Sequence, residues 1–116
     1  MTSTYTTPAE QRIANDIRDY RHHVERLIND YTPEMLEKAR TADTPRARTY
    51  WAVGVVQWRS VLWNAMSKLE DLDALDRDER AEWVGIIDGM VATAARHAGT
   101  TPEALEQLDP TTLPKP

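Results

Sequence analysis

Thr-Pro occurs four times in this chain, at Thr7-Pro8, Thr32-Pro33, Thr44-Pro45 and Thr101-Pro102. A Thr hydroxyl accepts from the free N–H groups that open a helix, and Pro fits the first helical position, where its missing N–H costs nothing. Each pair therefore predicts a helix start. Thr7-Pro8-Ala9-Glu10 completes a capping box, and Asp76-Arg77-Asp78-Glu79 uses Asp in the same role. Gly99 sits where a left-handed C-terminal cap belongs, and Asp109-Pro110 ends the last short element. Five helices are predicted, over 8–30, 33–42, 45–73, 77–98 and 102–108. No stretch alternates apolar and polar residues between turn signals, so no strand is expected.

Periodicity then gives the architecture. Ile13, Ile17, Tyr20, Val24, Leu27 and Tyr31 repeat at spacings of four and three, as do Trp51, Val55, Trp58, Leu62, Ala65, Leu69 and Leu72. Two long helices with such seams pack side by side at a shallow angle, and the link 31–44 returns the chain so that they lie antiparallel. The helix at 77–98 adds Trp83, Val84, Ile87, Met90 and Val91 and closes the core. The expected fold is all-α, a small antiparallel bundle of three long helices plus two short ones. A single domain over 1–110 with a flexible tail at 111–116 suits the 116 residues.

Composition excludes several classes. With no Cys there is no disulfide scaffold, thiol nucleophile or Cys-ligated metal. The start of the chain, Met1 to Tyr5, shows no basic segment followed by an apolar run, and no window reaches the ~18 apolar residues of a membrane span. A cytoplasmic protein is expected. Net charge is −5, and the acids concentrate late: residues 68–116 hold eleven acids against five bases. Lys and Arg are interleaved with acids rather than clustered, which argues against direct nucleic-acid binding. Arg outnumbers Lys eleven to three, a bias that fits GC-rich coding such as that of an actinobacterium or its phage.

No active site assembles from the sequence. His22 and His23 are adjacent and point in different directions, unlike helical metal ligands spaced three or four apart. No glycine-rich phosphate loop is present, and neither a cofactor nor a metal is expected. Glu34-x-x-Glu37 and Glu70-x-x-Asp73 are similar to the Glu-Glu-x-x-Glu and Glu-x-x-Asp motifs of the all-α MazG-type nucleotide pyrophosphohydrolases. The resemblance implies a Mg²⁺ site on two facing helices. It departs at Pro33, where the family has the first Glu, and at Glu70–Asp73, which closes a helix instead of opening one.

Two surfaces look spare. Beside its seam the 45–73 helix carries Val56, Arg59, Trp63 and Met66, read either as core or as an anchor patch for another chain. Asp73, Asp76, Asp78 and Glu82 form an acidic rim suited to docking. On the 77–98 helix, Ala81, Gly85 and Gly89 lie four apart. Each interior Gly costs a helix about 1 kcal/mol relative to Ala, so the spacing implies a close helix approach. That approach is either to the short second helix within the chain or to a second copy; with few helices to cover both spare faces, a homodimer is expected. These features predict a non-enzymatic protein-binding or regulatory module, of a kind that fits a phage or mobile-element factor acting on a host protein. A structural assembly subunit and the Mg²⁺-dependent hydrolase are the alternatives.

Overall fold

A computed structural model describes residues 7–116; the N-terminal segment 1–6, and with it the start of the expected domain, lies outside the described residues. The elements in order are α1 (Pro8–Arg26), a π turn (Leu27–Tyr31), α2 (Thr32–Thr41), α3 (Pro45–Asp71), α4 (Arg77–His97), α5 (Pro102–Glu106) and a 3-10 turn (Pro110–Thr112). The fold is all-α, with no strand among the described residues.

The predicted caps hold at four helix starts. Thr7 Oγ1 accepts from Glu10 N at 3.1 Å, Thr44 Oγ1 from Ala47 N at 3.1 Å, Asp76 Oδ1 from Glu79 N at 2.8 Å and Thr101 Oγ1 from Ala104 N at 3.2 Å. Gly99 takes φ +69° after α4, and Thr100 N donates to Ala95 O at 2.9 Å. Asp73 fills the same left-handed position after α3, at φ 54°, and Ala74 N donates to Leu69 O at 2.8 Å. Asp is one of the few side chains that tolerate this conformation.

Thr32-Pro33 does not start a new helix. Thr32 is helical at φ −69°, ψ −44°, and the chain runs on from α1 through the π turn into α2. Pro33 explains the turn. A proline inside an α-helix lacks an N–H and drives its ring against the carbonyl four residues back, here that of Asn29. Widening the helix relieves the clash, and Thr32 N donates instead to Leu27 O, five residues back. The Thr32 side chain, expected as a cap, is fully buried and its Oγ1 has no hydrogen-bond partner.

Residues 8–41 are therefore one rod. The chain reverses at 42–44, where Arg48 Nη1 donates to Ala42 O at 2.9 Å, and α3 returns antiparallel. Tyr31 stacks on Trp58 at 5.3 Å, and Lys38 lies over Trp51 at 4.5 Å. At 1.5 Å per residue the rod is about 51 Å long and α3 about 40 Å. The surplus projects at the N-terminus. Ile13, 44% exposed, belongs to neither buried cluster, nor does Ile17, so the seam of α1 is covered only from Tyr20 onward. The molecule measures 65 × 26 × 21 Å.

α4 runs antiparallel to α3 and completes two adjoining clusters. One joins Ala39, Ala52, Val55, Val91, Ala94 and Leu105 around α2, α3, α4 and α5; the other joins Val24, Leu27, Leu62, Met66 and Ile87 around α1, α3 and α4. Arg21 ties α1 to the start of α4 through Glu79 at 2.8 Å and over the Trp83 ring at 5.7 Å. The hydrogen bond to Glu79 raises the Arg21 guanidinium above its usual value, against the opposing effect of burial. At the C-terminus Leu113 packs against the first cluster.

Burying a hydroxyl without a partner costs about 1–3 kcal/mol. Thr32→Val, isosteric and free of the hydroxyl, should raise unfolding stability by about 1 kcal/mol, read as a higher urea midpoint at unchanged slope.

Candidate protein-binding surface

The four residues of the proposed anchor patch separate in the structure. Met66 is a correction: it is 1% exposed and packs in the second cluster with Leu62 and Ile87. At 100° per residue it lies only about 40° from Leu62 and so belongs to the seam. Val56 is half-buried against the first cluster. Trp63 is 48% exposed, the most exposed large apolar side chain among the described residues.

Arg59 connects the two. Its side chain is 17% exposed, its Nη2 lies 2.7 Å from Glu106 Oε1, and its Nη1 lies 3.9 Å from Asp88 Oδ1. Its guanidinium also stands 5.5 Å from the centroid of the Trp63 ring. One cation thus fastens α5 to α3, reaches α4 and braces the indole. The cation–π contact adds about 0.5–1 kcal/mol at such a site and restricts the ring. Arg59 is in this way the support of the patch, while Trp63 is its exposed part.

The outward face of α4 continues this surface. Asp88 faces Arg59, and Ala81, Gly85 and Ala92 lie within about 60° of it around the helix, with Gly89 further out. A Cβ placed on Gly85 or Gly89 would meet nothing within 4 Å. The expected contact between these glycines and the second helix is therefore absent. α2 stays in line with α1 and reaches α4 on its inner side, through Ala39. The close approach that needs a glycine is elsewhere, at Gly54, where a Cβ would lie 3.2 Å from Met35 Sδ. Ile86, 37% exposed, borders the glycine face on its other side.

The acidic rim divides as well. Asp76 is occupied in capping α4 and Asp73 in the left-handed turn. Asp78 and Glu82 are exposed on the first two turns of α4, on the side that carries Ala81 and Gly85. Glu70 and Glu79 are paired with Arg80 and Arg21. These partners come from other elements and leave no trace in local sequence.

The acid pairs that resemble the hydrolase motifs do not meet. Glu34 lies 3.4 Å from Lys38, and Glu37 is held by Arg40, whose hydrogen bond lowers its carboxyl below the usual range. Glu70 is near the far end of α3, sixteen residues or about 24 Å from Gly54, which adjoins Met35 of α2. Among the described residues no group of three or more His, Asp or Glu is placed to hold a metal ion. A cleft of about 130 Å³ opens between α2, α3 and the C-terminal turn, lined by Met35, Tyr50, Trp51 and Leu113 among others. Ligand pockets usually span about 300–1,000 Å³, so it is small for a substrate site.

No family model, curated protein or solved structure matches the chain. No helix among the described residues is long and apolar enough to cross a membrane.

Truncation separates core from surface. Met66→Ala should cost about 2–4 kcal/mol, whereas Trp63→Ala should cost less than about 1 kcal/mol, both by denaturant titration.

Proposed function

We propose that the chain is a protein-binding module that works through the α3–α4 face, with Trp63 as its anchor. The observation that carries this reading is Trp63 itself, a large indole left 48% exposed and braced by Arg59. A pre-positioned aromatic loses little freedom on binding, and Trp and Arg dominate the energetic centres of interfaces. Asp78 and Glu82 add an acidic edge that steers a partner with basic groups at the matching end.

A second reading, an assembly subunit, is favoured by the projecting end of α1. Ile13 gives the molecule another exposed apolar surface, away from Trp63, and two separate surfaces are what a growing assembly requires. It requires species that enlarge steadily with concentration.

A photo-crosslinking amino acid at position 63, in the full chain expressed in its cell of origin, tests the main reading. A discrete adduct is expected, lost when the crosslinker is moved to Lys68 on the other side of α3. A folded protein that yields no adduct from position 63 would contradict it.

A further inference from the structure

We propose that the partner on this face is a second copy of the chain, docked with α4 antiparallel to α4 about a two-fold axis midway between Gly85 and Gly89. The inference rests on the reading of the α3–α4 face as a docking surface and names its occupant. An isologous interface must complement itself, so every group has to meet its match at the mirrored position. The outward face of α4 has that property in charge as well as in shape. Asp78 lies seven residues before Gly85, and Arg96 lies seven residues after Gly89. In the antiparallel pair each Asp78 therefore faces Arg96 of the other copy, about 10 Å on either side of their nearest glycines, while Gly85 faces Gly89. Among the described residues Asp78 makes no ion pair, and Arg96 bonds only the Thr93 hydroxyl. A basic protein of different sequence would match one end of this face and clash with the other.

The apolar groups agree independently. Trp63 and Ile86 are two of the four exposed large hydrophobic side chains among the described residues, and they border the α4 face on opposite sides. The two-fold brings each side of the face against the same side of the second copy. Trp63 then approaches Trp63, and Ile86 approaches Ile86, across a gap that the glycines allow to be narrow. The opposed helix directions also place acidic first turns beside basic last turns, which the helix dipoles favour.

Light scattering coupled to size-exclusion chromatography over a dilution series tests this. The wild type should run at twice the chain mass of 13.3 kDa. Gly85→Leu/Gly89→Leu should run as a folded monomer, because a Cβ at either position meets nothing within 4 Å. Asp78→Arg should weaken the dimer about tenfold, or about 1.4 kcal/mol. Asp78→Arg/Arg96→Asp should restore it, a rescue that requires residue 78 to face residue 96. A wild type that stays monomeric at every concentration overturns the proposal, and so does a dimer indifferent to all three variants. In either case an adduct from position 63 with another protein would leave the binding module standing with a different partner.

Discussion

Pro33 sits inside a helix without breaking it, and most of the architecture follows from how that conflict is resolved. Breaking the helix there would free α2 to swing across the bundle. Widening it by one residue keeps 8–41 a single rod, at the cost of one buried hydroxyl without a partner. The five-residue step from Leu27 to Thr32 also keeps both side chains pointed inward, where an α-helical step would turn one of them away. The core thus continues through the irregularity. Because the rod is longer than α3, its first turns project past the bundle, and because α2 stays in line, none of the described residues crosses the outside of α4.

Three long elements cover each other only partly. The inner sides of α1, α2, α3 and α4 fill two clusters, and α5 is laid over the first by Leu105 and pinned by Glu106 to Arg59. Beyond that pin the boundary between α3 and α4 is open. Trp63 stands there, with the glycine face of α4 beside it. The same arginine that fixes α5 also braces the indole, so the end of intrachain packing and the start of the proposed docking surface share one side chain. That continuity gives the recognition reading its physical basis: the proposed surface extends a packed core.

Much of this was legible in the sequence. Thr7, Thr44 and Thr101 each cap the helix that follows, and there local chemistry decides the outcome. Thr32 carries the same dipeptide between two apolar seams, and burial of Leu27, Tyr31 and Ala39 on one side outweighs the cap. Local propensity points one way and packing the other, and packing wins. Gly85 and Gly89 lie on one face by their spacing, but what meets that face depends on the path of α2, and hence on whether the helix breaks at Pro33. Met66 and Trp63 lie about 60° apart on α3, too close for periodicity to assign one to the core and the other to the surface. Arg59 finds Glu106 forty-seven residues later, a pairing that no spacing rule anticipates.

The continuous rod is the claim on which the bare face of α4 depends, and a distance along it is its most direct test. The chain has no native cysteine, so Arg12→Cys and Glu37→Cys give two clean sites for nitroxide labels. Electron–electron double resonance, with labelled protein diluted into unlabelled to isolate distances within one chain, should show a peak near 38 Å, twenty-five residues at about 1.5 Å each. A dominant distance below about 25 Å would mean that the chain turns back at Pro33, and the account of the open α4 face would fall with it.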